Sequence, residues 1–311
     1  MPLFSNKYLN YYSSKTEDFC TIPINGTSFV PQGVCQFHDK IVLTCYDSSK
    51  IENTILIICS KTSYKILFLE DRMHGGSVCY HEASDSLYVT GRGVGVKSFI
   101  HRYCGKNIID ADDHSMITAT AVYCVDDSND LYSSSARHSS PGFMTCHNNY
   151  LFVGNFSDYS QAYKNKGILK KYRIAKDGSI PSKSEIIYNP YSNTQGLCIY
   201  EKDNTEYYVF SRSFGRKRNS IVNIATYENH HFNNIATNVF PCMSEQISTF
   251  NNDLVIIFES CAECYSKKCI GVRNEIAVLS FDELLKGQDD YKVFCKGDKL
   301  FIDNSKIKMS F

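Results

Sequence analysis

The sequence predicts an all-β chain folded as a single β-propeller domain, with five blades preferred and six as the alternative. Three observations point there. A short pattern recurs five times along the chain. Each copy holds two apolar runs separated by turn residues. One column of the repeat carries a small residue in every copy. Internal repeats with a period of about 20–50 residues mark solenoids, propellers or arrays.

The copies open at Gln32-Gly33-Val34-Cys35, Gly76-Ser77-Val78-Cys79, Gly142-Phe143-Met144-Thr145, Gln195-Gly196-Leu197-Cys198 and Glu245-Gln246-Ile247-Ser248. The marker residues Val34, Val78, Met144, Leu197 and Ile247 stand 44, 66, 53 and 50 residues apart. A four-stranded blade takes about 40–50 residues. The long interval predicts an insertion or a degenerate blade over 105–140.

Each opening is followed by a second run: Ile41 to Thr44, Leu87 to Thr90, Leu151 to Gly154, Tyr207 to Phe210 and Leu254 to Ile257. These short segments, rich in Val, Ile, Tyr and Phe, read as strands. The separators His38-Asp39, Ala83-Ser84-Asp85, Asn148-Asn149, Asp203-Asn204 and Asn251-Asn252-Asp253 supply the turns. Asn and Asp suit turns because their side chains bond nearby backbone and tolerate left-handed dihedrals. Further strands are expected over Thr54 to Cys59, Ile66 to Leu69, Ile168 to Ile174, Ile221 to Tyr227 and Glu275 to Phe281. A helical turn is expected at Phe281 to Lys286. A strand near Phe19 to Ile24 should complete the last blade with the carboxy-terminal part, closing the ring.

The residue after each marker is Cys35, Cys79, Thr145, Cys198 or Ser248. Small side chains suit the innermost strand, where blades crowd the axis. Radial repetition also leaves only short, protected edges. Cys35, Cys79 and Cys198 are therefore expected to line the axis as thiols.

Composition excludes several classes. The chain has 311 residues, with 33 Lys plus Arg against 33 Asp plus Glu. That balance argues against a nucleic-acid grip, which needs a basic stripe. No stretch of about 18 apolar residues predicts a membrane span. Fourteen cysteines, several of them inside strands, fit a reducing, cytoplasmic setting. The alternative is a secreted protein whose signal peptide has been removed. A monomer is the default, and no cofactor or metal is expected. Cys261-x2-Cys264-x4-Cys269 offers three of the four ligands a structural zinc site needs. Gly91-x-Gly93-x-Gly95 lacks the following helix that dinucleotide binding requires. Arg216-Lys217-Arg218 reads as a solvated loop.

The motifs Pro31-Gln32-Gly33, His74-Gly75-Gly76-Ser77-Val78, Leu87-Tyr88-Val89-Thr90-Gly91, Asn149 to Gly154, Thr194-Gln195-Gly196, Met243 to Ile247 and Phe258-Glu259-Ser260 give the chain a resemblance. It resembles a family of mostly uncharacterised bacterial propeller-like proteins, many of them secreted. The likeness runs over roughly residues 29 to 282 and departs at Ser77 and Cys79, where the family usually has Gly or Ala. It implies the fold and carries no activity with it.

Repeat geometry locates a candidate site. The start of the first strand and the end of the second meet on one face of a blade. The openings bring Gln32, His74, Gln195 and Glu245 there. The strand ends bring Tyr46, Asp47, Arg92, Asn155, Phe156, Arg212 and Glu259. Unlike the small column, this set differs from blade to blade, as expected if each residue meets a different part of one ligand. Arg92 and Arg212 are candidate clamps for an anion, since guanidinium is a planar fork. Glu245, Glu259 and His74 are candidate acid–base residues. Gln32, Tyr46, Asp47, Asn155, Phe156 and Gln195 are candidate ligand contacts. The expected function is binding of, or action on, a small anionic ligand, by a hydrolase or lyase. The alternative is a non-catalytic propeller, lectin-like or protein-docking.

Overall fold

The structure is a computed structural model that describes residues 12, 16–24, 26–91, 97–126, 141–157, 167–269, 271–287, 292–296 and 299–303. It is an all-β propeller of five blades. Blade 1 is β2 (Phe29–Phe37), β3 (Lys40–Asp47), β4 (Ile55–Cys59) and β5 (Tyr64–Leu69). Blade 2 is β6 (Val78–His81), β7 (Ser86–Thr90), β8 (Lys97–Cys104) and β10 (Ala121–Asp126). Blade 3 is β11 (Pro141–His147), β12 (Tyr150–Asn155), β13 (Gly167–Arg173) and β14 (Glu185–Asn189). Blade 4 is β15 (Thr194–Lys202), β16 (Thr205–Arg212), β17 (Ser220–Glu228) and β18 (His231–Phe240). Blade 5 is β19 (Ser244–Phe250), β20 (Asp253–Phe258), β21 (Glu275–Leu279) and β1 (Thr16–Thr21). The innermost strands β2, β6, β11, β15 and β19 touch in cyclic order, and β19 returns to β2.

The long interval contains no sixth blade among the described residues. After β8 come a short helix at Gly105–Asp110 and β9 (Met116–Ile117), which joins blade 1 in parallel beside β5. β10 then returns as the outer strand of blade 2. The remainder of 105–140, residues 127–140, lies outside the described residues. The amino-terminal strand β1 pairs antiparallel with β21 as the outer strand of blade 5. The segment Glu275 to Phe281 ends as a strand at Leu279, and Phe281–Leu285 is a helix. β22 (Lys292–Lys296) and β23 (Lys299–Asp303) form a separate hairpin.

The first turn of each blade works as its residues dictate. His38, Asp85, Asn148, Asp203 and Asn251 all adopt φ between 46° and 53°. Tight hairpins require such left-handed positions, and Asn and Asp accept them most readily after Gly.

The core is divided among the five blade-to-blade contacts. One apolar cluster joins blades 1 and 2 through Val42, Leu56 and Leu67 against Val78, Leu87 and Val89. Equivalent clusters join every other neighbouring pair, ending with Leu43 and Ile57 against Val255 and Ile257. Leu254 and Ile256 face blade 4, whereas Val255 and Ile257 face blade 1. Strand residues alternate faces, so a run of consecutive apolar residues fills two neighbouring cores at once. That is why these strands lack a polar face.

Crowding at the axis falls two residues earlier than the small column. A Cβ on Gly33 would lie 2.3 Å from Thr44 Oγ1 and 2.8 Å from Val78 N. One on Gly196 would lie 2.7 Å from both Gln246 Cα and Ile247 N. The column itself borders open space instead. Cys35, Cys79, Thr145 and Ser248 line a cavity of about 430 Å³ at the far end of the inner strands. Cys198 is buried in the core between blades 4 and 5, as Cys35 and Cys79 are in the cores between their own blades and the next. Cys79 and Cys146 hold their sulfurs 3.3 Å apart across blades 2 and 3.

Candidate functional site

Four of the five inner strands begin with a break in register. The pairing skips Gln32 in β2, Gly142 in β11, Gln195 in β15, and Glu245 with Gln246 in β19. A β-bulge re-aims a side chain that the ladder would otherwise commit to one face. These bulges present Gln32, Gln195 and Glu245 at the mouth.

There they form a continuous chain. Gln195 Nε2 donates to Glu245 Oε1 at 3.2 Å. Glu245 and Glu259 hydrogen-bond each other. Gln32 Nε2 donates to Glu259 Oε2 at 3.1 Å. Glu259 sits just past β20, where a short 3-10 turn at Glu259–Cys261 bends the chain over the mouth.

The two carboxyls differ. Glu245 is buried, and its pKa lies well above the usual range, first from burial and then from the neighbouring Glu259 charge. Glu259 is pushed up to about 7 by burial, against the hydrogen bonds from Gln32 and Glu245 and the field of Arg216. Two carboxyls in contact cannot both ionise cheaply, so such a pair holds one proton. The deeper burial of Glu245 favours its protonated form.

Beside the pair stands an aromatic wall. Tyr46 Oη is 3.1 Å from Tyr265 Oη, and the rings of Tyr46 and His74 lie 4.7 Å apart. Burial raises the pKa of both tyrosines. His74 is exposed at the mouth, and desolvation by the surrounding protein lowers its pKa. The guanidinium of Arg216 lies 4.7 Å over the Tyr265 ring. Phe156 stacks on Phe214 at 6.3 Å, and Arg218 lies 5.4 Å over Phe214.

Three expected ligand contacts are used within the blades instead. Arg212 donates from Nε to Ser192 O at 2.8 Å and from Nη1 to Asn223 Oδ1 at 2.9 Å, and it lies over Tyr191. It clamps the Ser192 loop, not an anion. Asp47 accepts from the backbone N–H groups of Ser49, Ile51 and Glu52 at 3.0, 2.8 and 2.8 Å. Its own turn wraps it, so little surface is accessible although it lies near the edge of the protein. Burial would raise its pKa, but the hydrogen bonds outweigh that and hold it below the usual range. Asn155 accepts from Ile168 N at 2.6 Å and caps the β12–β13 connection. Arg92 lies outside the described residues.

Sequence reasoning missed three residues. Arg216 lies in the loop after β16 and Tyr265 in a short helix at Glu263–Ser266, both outside the repeat. Gln246 stands next to Glu245 but points across the axis. Its Oε1 accepts from Val34 N at 3.0 Å and Val78 N at 2.9 Å, and its Nε2 donates to Val78 O at 2.7 Å and Met144 O at 2.9 Å. One buried amide thus ties blade 5 to blades 1, 2 and 3 between the mouth and the far cavity. The signal was a glutamine in a column otherwise held by Gly33, Ser77, Phe143 and Gly196.

No family model matches the chain, and no curated protein does. Solved structures are similar to it at low identity. A gluconolactonase from Xanthomonas campestris is 8% identical with a TM-score of 0.44, over 86% of this chain and 84% of that one. The GH43_1 enzyme from Xanthomonas citri is 8% identical with a TM-score of 0.46, over 88% and 92%. A tail fibre of Staphylococcus aureus phage P68 is 12% identical with a TM-score of 0.49, over 87% and 54%. Likenesses this distant carry nothing about chemistry. Among the described residues, no helix is long and apolar enough to cross a membrane.

Proposed function

We propose that the mouth is the active site of a hydrolase that cleaves an ester or lactone bond in a small anionic ligand. The observation that carries this is the Glu245–Glu259 pair, one carboxyl protonated and its partner ionised near neutral pH. Contact between the two groups favours acyl hydrolysis over glycoside cleavage, for which the carboxyls stand about 5 Å or more apart. The pair acts on one water. Glu259 takes a proton from the water as its oxygen bonds to the carbonyl carbon, while Glu245 gives its proton to the carbonyl oxygen. The tetrahedral diol then collapses. Glu245 recovers the hydroxyl proton, Glu259 protonates the departing oxygen, and the carbon–oxygen bond breaks to an acid and an alcohol. Gln32 and Gln195 hold the two carboxyls in register. Arg216 supports the anionic preference, and Tyr46, His74 and Tyr265 offer a wall for the ligand's body.

The test uses p-nitrophenyl esters and lactones, each as a carboxylate-bearing member and its neutral counterpart. The carboxylated members should turn over faster. Glu245→Gln should lower kcat by about 10²- to 10⁴-fold, the usual worth of a general acid. Arg216→Ala should raise KM for the carboxylated members and spare the neutral ones. Activity should fall as pH drops through about 7, because Glu259 loses its charge there. Binding of the carboxylated compounds without turnover would replace the hydrolase by a binding propeller. No binding and no turnover would overturn both.

A further inference from the structure

A second constellation lies away from the mouth, where blade 1 meets blade 2. Glu70 and Asp71 follow β5 directly, and His101 lies in β8. One ligand atom from each of the three falls within 4.8 Å of the others. The backbone that carries the two acids is pinned. Asn53 Nδ2 donates to Glu70 O at 3.2 Å, and Thr54 N donates to Asp71 O at 3.3 Å. Glu70 Oε1 accepts from Ala119 N at 3.0 Å, which fixes that carboxylate's reach.

Two buried polar atoms on this face of β8 lack a hydrogen-bond partner. His101 is 6% exposed, and its Nδ1 has no hydrogen bond. It stands 4.0 Å from Asp71 Oδ2, beyond hydrogen-bond range. Tyr103, two residues on and therefore on the same strand face, is 1% exposed and its hydroxyl is also unpaired. Its ring stacks on that of His101 at 6.5 Å. Leaving such buried atoms unmatched is unfavourable in a folded protein. Gly91 explains the ring's pose. A Cβ there would lie 2.5 Å from His101 Cδ2 and 2.6 Å from Nε2, so glycine lets the imidazole lie against the backbone with Nδ1 turned to the carboxylates.

We propose that Glu70, Asp71 and His101 form a divalent-cation site of the zinc type, fastening the end of blade 1 to β8 of blade 2. His101 Nδ1 and one oxygen from each acid supply three ligands, a donor set that suits Zn²⁺ and its first-row neighbours. The exposed Asp71 side chain has the freedom to close the 4.0 Å gap.

The chain is rich in cysteine, so the probe must separate oxygen and nitrogen ligands from sulfur. Co²⁺ does this, since thiolate ligation adds a strong near-ultraviolet charge-transfer band. The intact protein should bind one Co²⁺ with visible d–d absorption and no such band, and Zn²⁺ should displace it. Asp71→Asn, at an exposed position that leaves folding intact, should weaken binding more than about tenfold, and His101→Asn should abolish it. Zn²⁺ should raise the Tm of the parent protein and not of Asp71→Asn, as expected for a ligand that binds only the folded state. The proposal fails if Co²⁺ produces no spectral change. It fails equally if the thiolate band appears, or if Asp71→Asn binds as the parent does.

Discussion

The two ends of the five inner strands obey opposite rules. At the far end the repeat is kept: Cys35, Cys79, Thr145 and Ser248 are all small, lie in regular ladder positions and border a cavity. At the mouth it is broken: Gln32, Gln195 and Glu245 sit in bulges, and each has a different partner. A regular strand commits every side chain to one of two neighbouring cores. A residue released from the ladder is free to face the axis. The bulge is therefore the device that turns a scaffold position into a chemical one, and Gln246 marks the boundary between the two ends.

The largest break in this contrast should come at that boundary. Gln246→Ala leaves the N–H groups of Val34 and Val78 and the Val78 carbonyl without their partner, while the Met144 carbonyl keeps Ser77 Oγ. Buried unsatisfied groups cost about 1–3 kcal/mol each. The unfolding free energy should fall by about 3 kcal/mol or more in urea titration. Gln246→Glu keeps the shape but loses the two donated bonds, and should fall between the parent and the alanine variant. A loss under about 1 kcal/mol for Gln246→Ala would show that the blades do not depend on this amide.

Much of the fold was legible because local chemistry and repeat agree. The turn residues His38, Asp85, Asn148, Asp203 and Asn251 adopt the dihedrals their side chains favour. The markers fall where inner strands run. The meeting of Glu245 with Glu259 followed from strand direction alone, since the start of one strand and the end of the next share a face. What failed did so for identifiable reasons. Arg212 occupies a mouth position in the repeat, but its partners Ser192 and Asn223 come from elsewhere in blades 3 and 4 and were invisible to repeat alignment. Arg216 lies in a loop and Tyr265 in the short helix Glu263–Ser266, at positions the repeat does not mark. Gln246 was hidden because a bulge shifts which neighbour points outward, and a one-residue shift reverses facing.

A smaller effect tests whether the mouth trades stability for chemistry. Both carboxyls have folded pKa values above the unfolded value of about 4.3. Their native environment therefore favours the protonated form. The stability they support is complete below about pH 4.3 and is lost as pH rises through the folded values, the lower of which is about 7. Between these limits the parent protein should lose stability with rising pH. Glu245→Gln is neutral at every pH, keeps an oxygen for Gln195 and offers an N–H to Glu259. It should flatten that slope and stabilise the protein at pH 8 by roughly 1–2 kcal/mol, a gain typical of relieving a functional site. Equal slopes for parent and variant would mean that the pair does not share a proton.

The smallest effect should come from the far end, and it sharpens the contrast most directly. Cys35 is buried, lies in the core between blades 1 and 2 and borders the cavity. Its thiol has a raised pKa, first from burial and then from Cys146, so it behaves as an inert apolar group. Cys35→Ala removes one sulfur from a wall that already has open space on one side. Neighbours there lose few contacts, so the cost should be about 1 kcal/mol or less. Turnover and KM should not move, because Gln246 and the inner ends of five strands separate this residue from Glu245. If Cys35→Ala changed the pH profile of the mouth, the two ends would be coupled along the axis. Scaffold and site could then no longer be treated as separate parts of one strand.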